Sequence, residues 1–441
     1  MMQSSKKIGL RTFFGSSNAM PAIDLTSAFP GVPIGTPETH TGVLESKTAP
    51  SGLRLVTDST DGNIITLGLS VNAGTRYEKE KTVGLTNLMS QMAFRSTETR
   101  SDLRMYRDIE ALGGRMTSCF GRDYIQWSIS VLPCFVNEAA SLLAEAVSAP
   151  RFAKWDIKQQ MQMAYDVSAK ALEDPTSRVI DGIHAAAYYD TVGLGRSLYD
   201  TFDLAKLSKE DVENHFQTYF TAENSVLVGT GIDMAGLEGY ANSMALGSNV
   251  VPTPPTSTYY GGEFRTRLAI NETHMALGFD GVSVGDEAMP AAVVLTQLLS
   301  NNLKESKGSA FNHVYESNGL MGVMASCAPG DAPVCLETLI KTMTDMASKT
   351  LSDKDITGAK METSLKFASD MEKRDMRFHT IGKLALNGRT DSTASVVESL
   401  NNVSAAQVSE VAKKLLTSKP SFAAVGDLSH VPRYHTLLGL F

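Results

Sequence analysis

The order of apolar segments in this chain occurs twice, and a duplicated pattern restricts the fold more than any single motif does. IITLGLSVNAG (64–74) is a strand pattern rich in Val, Ile and Leu, and an amphipathic helix pattern follows at 84–95. THMALGFDG (273–281) repeats the strand, and DEAMPAAVVLTQLLSN (286–301) repeats the helix. MGVMASC (321–327) resembles GGRMTSC (113–119) at an offset of 208 residues. SVLVGTG (225–231) closes the first unit as SFAAVGDL (421–428) closes the second. A period this long means duplicated domains, not a solenoid. Strands and helices come in blocks within each half. That predicts an α+β fold of two homologous domains, each a mixed or antiparallel sheet covered by helices on one face.

The expected divisions are an N-terminal targeting-like segment and extended arm (1–49), a first domain (50–248), a linker (249–262) and a second domain (263–441). The linker region GSNVVPTPPTSTYYGG (247–262) carries three prolines and little apolar periodicity. In the first domain RLVTDS (54–59) reads as a further strand and GGRMTSCFGRDYIQWSISVL as a hairpin. Helices are expected near 102–112, 135–147, 154–188 and 208–219. Hydrophobic residues make up 42% of the 441, enough for a sizeable core, and the net charge of −8 argues against a nucleic-acid binder. No apolar run reaches the ~18 residues of a membrane span, so membrane association would have to come through partners. The four cysteines form no C-x-x-C and read as buried reduced thiols. The first 23 residues hold Lys6, Lys7, Arg11 and four serines, with no acid before Asp24. This is the composition of a mitochondrial transit peptide, and FPGVPIGTPETHTG (29–42) reads as an arm behind it.

The helix GLTNLMSQMAFRST (84–97) carries the most informative residues. Asn87, Ser90 and Gln91 stand at i, i+3 and i+4 on one face, the spacing at which H-x-x-E-H peptidases hold zinc. Zinc requires imidazole, thiolate or carboxylate donors, and water activation requires a base. Two amides and a hydroxyl supply neither, so no metal is expected. GVSVG (281–285) is a literal G-x-S-x-G around Ser283, with Asp353, Asp355, His379, His430 and His435 as potential partners. The first half has no serine in the equivalent connection, so Ser283 reads as a loop residue. HVPRYH (430–435) holds two histidines without a third ligand. His184 lies among alanines and reads as a close helix contact. No phosphate-binding glycine motif is present.

Several segments together carry a resemblance: NAGTRYE (72–78), the run from Gly84 to MAF at 92–94, IEALGG (109–114), SAPRFAKWDI (148–157), IHAAAY (183–188), YYGGEFR (259–265), YESNGL (315–320) and AAVGDL (423–428). Over about residues 50–435 the chain resembles the mitochondrial branch of the pitrilysin-type metallopeptidases. That branch comprises the subunits of the mitochondrial processing peptidase and the core proteins of the cytochrome bc complex, respiratory complex III. The resemblance puts the zinc histidines on Asn87 and Gln91, the catalytic glutamate on Ser90 and the third ligand at or next to Val167. All four places lack the required group.

The alpha-type peptidase subunit also lacks catalysis but carries a glycine-rich loop before the segment matching YESNGL. LLSNNLKESKGSAFNHVYESNGL (298–320) has one glycine, Gly308, before Asn318-Gly319. HAAAYY and YYGGEFR likewise resemble a core protein, whereas DTVGLGR (190–196) and KPSFAAVGDLSHVP (419–432) resemble the alpha subunit. The resemblance therefore implies a non-catalytic structural subunit of complex III on the matrix side of the inner mitochondrial membrane, holding no haem, quinone, iron–sulfur cluster or zinc. Its implied partners are the other core (beta-type) subunit and the cytochrome b, cytochrome c1 and Rieske subunits. The alternative is the presequence-binding alpha subunit of the processing peptidase.

Overall fold

The computed structural model describes residues 43–59, 63–188, 193–201, 204–253, 256–348 and 352–439. The basic N-terminal segment read as a transit peptide lies outside them. The first half runs β1 (Leu44–Thr48), β2 (Arg54–Asp58), β3 (Ile65–Val71), α1 (Leu85–Gln91), α2 (Asp102–Ala111), β4 (Arg115–Phe120), β5 (Ile125–Val131), α3 (Val136–Ser148), α4 (Lys154–Glu173), α5 (Pro175–Tyr188), α6 (Lys209–Tyr219), β6 (Ser225–Thr230) and α7 (Met234–Ala241). The second half runs β7 (Glu263–Arg267), β8 (Thr273–Asp280), α8 (Met289–Leu303), β9 (Gly308–Val314), β10 (Gly319–Cys327), α9 (Ala332–Ser348), α10 (Asp353–Glu372), α11 (Arg374–Leu386), α12 (Thr393–Asn401), α13 (Ala405–Thr417), β11 (Ser421–Gly426) and α14 (Tyr434–Leu438).

The two sheets have one plan. Their strand orders are β1-β2-β6-β3-β5-β4 and β7-β11-β8-β10-β9. In each, the last strand of the half runs parallel to the first core strand and antiparallel to the second. The extra edge strand β1 comes from residues expected to form only an arm. Its one-sided pairing with β2 and its polar sequence LESKT suit an exposed edge.

Equivalent strands follow from these orders: β4 corresponds to β9, and β5 to β10. The GGRMTSC/MGVMASC likeness is therefore misleading, because the first segment enters β4 and the second forms β10. Both are members of a hairpin, β4 partly and β10 mostly buried, and the shared strand setting suits similar residues in non-equivalent strands. The helix expected over 154–188 divides at Asp174-Pro175. Proline removes an amide and fixes φ, and the Asp174 carboxylate accepts from the amides of Thr176 and Ser177 to start α5. Helix α1 stops at Gln91, earlier than the periodicity suggested, and the chain turns through Phe94 at φ 54° with its ring buried.

Each sheet packs one face against helices of its own half. The opposite face is covered by one helix of the other half. Leu67, Leu69 and Leu227 point into the first half's core, while Val226 and Val228 of β6 point to Phe378, Ile381 and Ala385 of α11. Phe422 and Ala424 of β11 face the second half's core, while Ala423 and Val425 face Val179, Ile183 and Ala187 of α5. The central strands are therefore apolar on both faces, which explains the unbroken buried runs SVLVGT and SFAAVG.

Close approach depends on glycine. A Cβ on Gly68 would lie 2.5 Å from the Phe378 ring, and one on Gly182 would lie 2.2 Å from Phe264. The two crossing helices match residue for residue at their starts. Arg178 donates to the carbonyl of Leu172, and Arg377 donates to the carbonyl of Met371.

Candidate functional site

Helix α1 is fixed at its first turn by a buried acid. The Glu78 carboxylate accepts from the amides of Gly84 (3.1 Å) and Thr86 (2.7 Å), with Arg196 Nη1 at 3.8 Å. Anionic oxygens at a helix N-terminus satisfy free amides and the helix dipole. Burial nevertheless raises the Glu78 carboxyl to about 7, against the pull of those donors.

The anchored helix turns Asn87 and Ser90 inward. Asn87 Nδ2 donates to the carbonyl of Ala164 and to Ser168 Oγ, both at 3.0 Å, on α4. Ser90 Oγ donates to Ser118 Oγ on β4 at 3.2 Å. Gln91 is half-buried at the end of the helix. Val167 is not part of this cluster. It is 36% exposed, while its neighbour Ser168 is fully buried against Asn87. The buried stripe of α4, Ile157, Gln160, Ala164 and Ser168, has helical spacing and excludes 167. That periodicity distinguishes Ser168 from Val167, where motif spacing gives only a place at or next to Val167.

The hydrogen-bonded cluster is neutral throughout: one side-chain amide and three hydroxyls. No base can take a proton from water here, and the set does not fit zinc, which needs anionic or imidazole donors. Among the described residues, no group of three or more His, Cys, Asp and Glu could hold a metal.

The other candidates separate. Ser283 has ordinary backbone geometry, without the strained left-handed turn of a nucleophile elbow. His379 is turned into the interface between the halves. Its Nδ1–H donates to Gln126 Oε1 at 2.6 Å, and Tyr124 donates to its Nε2 at 3.1 Å. Cys119 Sγ lies 3.5 Å from Nδ1, but the protonated nitrogen cannot act as its base. Burial keeps both partners neutral, raising the thiol to about 11 and lowering the imidazole to about 4. His184 is a packed helix contact. Its Nδ1–H donates to the carbonyl of Ile180 and its Nε2 accepts from Tyr315. His430 lies in an exposed turn and His435 in the short helix α14, away from any second ligand pair.

Residues 54–201 match the family model for insulinase, peptidase family M16, and residues 206–363 match that for the inactive domain of M16 peptidases. The chain belongs to peptidase family M16. It is 26% identical to the human protein "Cytochrome b-c1 complex subunit 2, mitochondrial", over 98% of this chain and 99% of that one. It is 25% identical to the Arabidopsis thaliana protein "Probable mitochondrial-processing peptidase subunit alpha-2", over 96% of this chain and 90% of that one. Among solved structures, a chain of Complex III2 from Candida albicans superposes with a TM-score of 0.80 at 16% identity, covering 90% of this chain and 99% of that chain.

Proposed function

We propose that the chain is a structural subunit of mitochondrial complex III, the counterpart of core protein 2, and that it performs no chemistry of its own. The observation that carries this reading is the neutral hydrogen-bonded cluster at Asn87, Ser90 and Ser168. At the family's catalytic helix packing stands where ligation would be, so the site serves the fold rather than a reaction. We read Asn87, Ser90 and Gln91 as the degenerate remains of the zinc site, with Ser168 at the third ligand's place.

Two observations favour a core subunit over the presequence-binding alpha subunit. The chain spans 99% of the human subunit 2 but 90% of the Arabidopsis alpha subunit. The stretch that would carry a glycine-rich loop is ordered as the end of α8, a single tight turn at Lys304–Ser306 and then β9. Among the described residues no helix is long and apolar enough to cross a membrane. As the resemblance to core protein 2 implies, the subunit would sit peripherally, on the matrix side of the inner mitochondrial membrane. It would be held by the other core (beta-type) subunit and by the cytochrome b, cytochrome c1 and Rieske subunits. An obligate role of this kind requires more than ~2,000 Å² of buried interface.

The test is affinity purification of the tagged full chain from mitochondrial membranes. The expected result is co-purification of cytochromes b and c1, detected by their haem absorbance. Recovery of a soluble zinc-bearing peptidase without cytochromes would overturn the reading in favour of the alpha subunit.

A further inference from the structure

The internal repeat leads to a second place of interest. Val293, Thr296 and Gln297 hold on α8 the i, i+3 and i+4 positions that Asn87, Ser90 and Gln91 hold on α1. Thr363 and Phe367 hold on α10 the places of Ala164 and Ser168 on α4, and β9 forms the third wall as β4 does. In the first half these walls are joined by the hydrogen bonds of Asn87 and Ser90. In the second half all five residues line a cleft of about 540 Å³. That volume lies within the ~300–1,000 Å³ of small-molecule sites.

The lining is mainly apolar, with Val293, Val314, Phe367 and Leu384 among its residues, and its polar groups are mostly committed. Gln297 donates to Asn301 and Glu362. Both nitrogens of His379 are engaged across the domain interface. Asp370 is paired with Lys373 at 2.9 Å, and Asp391 with Arg389 at 2.7 Å. Two cations remain, Lys366 from α10 and Lys383 from α11. Among the described residues no hydrogen bond or ion pair holds either ammonium. Asp123, an acid that Lys383 feels, is itself paired with Arg76 at 3.5 Å. Two unpaired ammonium groups beside an apolar wall form a complementary surface for a negative head on an apolar body.

We propose that this cleft binds a small organic anion, its charged head between Lys366 and Lys383 and its apolar body against Val293, Phe367 and Leu384. The site is independent of the degenerate zinc position and needs no catalytic group.

Equilibrium dialysis of the purified assembly containing the full chain tests the proposal, with 4-phenylbutyrate and phenyl phosphate as anionic probes. 4-Phenylbutan-1-ol and 4-phenylbutylamine are the neutral and cationic controls. Saturable binding of one anion per chain is expected, with weaker binding of the alcohol and none of the amine. Tighter binding of one anionic probe over the other assigns the head as carboxylate or phosphoester. Joint Lys366→Met and Lys383→Met substitution should weaken binding by about tenfold or more. Lys→Arg at both sites should retain it, and Val293→Trp, which fills the cleft, should abolish it. Co-fractionation of each variant with the assembly checks folding. Failure of both anions to bind saturably would overturn the proposal. So would binding unchanged by both the methionine pair and Val293→Trp, or capture of an acidic peptide but neither small anion.

Discussion

Phe378→Ala should weaken the half of the molecule to which Phe378 does not belong. The ring sits on α11, in the second half, but it is buried against Val56, Val226 and Val228 of the first sheet and over Gly68. Removing a buried Phe costs about 3–5 kcal/mol, the lost transfer energy plus the cavity left behind. Gly68 has no side chain to fill that cavity, so the low end of the range is excluded and its middle applies. At ~1.4 kcal/mol per factor of ten, about 4 kcal/mol raises the population of openings that expose the sheet by nearly three orders of magnitude. Hydrogen–deuterium exchange of the intact assembly reads this directly. Peptides covering Ile65–Val71 and Ser225–Thr230 should lose protection by about that factor. Retained protection there, with faster exchange confined to second-half peptides, would refute the idea that the halves complete each other's cores.

Three further outcomes are expected. Gly182→Ala should destabilise by about 1–3 kcal/mol despite a helix-propensity gain of about 1 kcal/mol, because the methyl meets the Phe264 ring; Phe264→Ala should relieve most of it in a double-mutant cycle. Glu78 binds its proton more tightly folded, at about 7 against 4.5, so the stability it contributes is full below the lower value and lost as pH rises through the upper one; thermal midpoints at about pH 5 and about pH 8 should favour wild type over Glu78→Gln more at the acid value, and an unchanged difference would count against it. Asn87→Ala should cost about 1–3 kcal/mol by taking the donor from the buried Ser168 hydroxyl and a second donor from the Ala164 carbonyl, and metal analysis should find no tightly held zinc that Gln91→Ala removes.

The duplicated α+β plan was legible because each half repeats a strand, a helix and a closing strand whose apolar periodicity is strong. The neutral face of α1 was legible because i, i+3 and i+4 share a face whatever the surroundings. Register across the repeat was not. Hairpin strands β4 and β10 share an alternation, and only pairing distinguishes them. Spacing alone left the inward residue of α4 at or next to Val167, because motif spacing gives a position along the chain, while burial periodicity gives a face. The cover supplied to each sheet by the other half was invisible too. A helix buried on foreign ground carries the same apolar stripe as one buried at home, and glycines at 68, 182 and 382 identify a close contact only once the partner is known.

The exchange of α5 and α11 also sets an order of events during synthesis. When residues up to β6 have left the ribosome, the first sheet can pair all its strands. Its outer face, with Val56, Val226 and Val228, must nevertheless wait for Arg374–Leu386 to be made. Helix α5 meanwhile displays Val179, Ile183 and Ala187 to a sheet not yet translated. A nascent first half is thus a client for chaperones through most of the second half's translation, and a chain truncated before α11 should be recognised as unfinished although its N-terminal domain is complete in sequence.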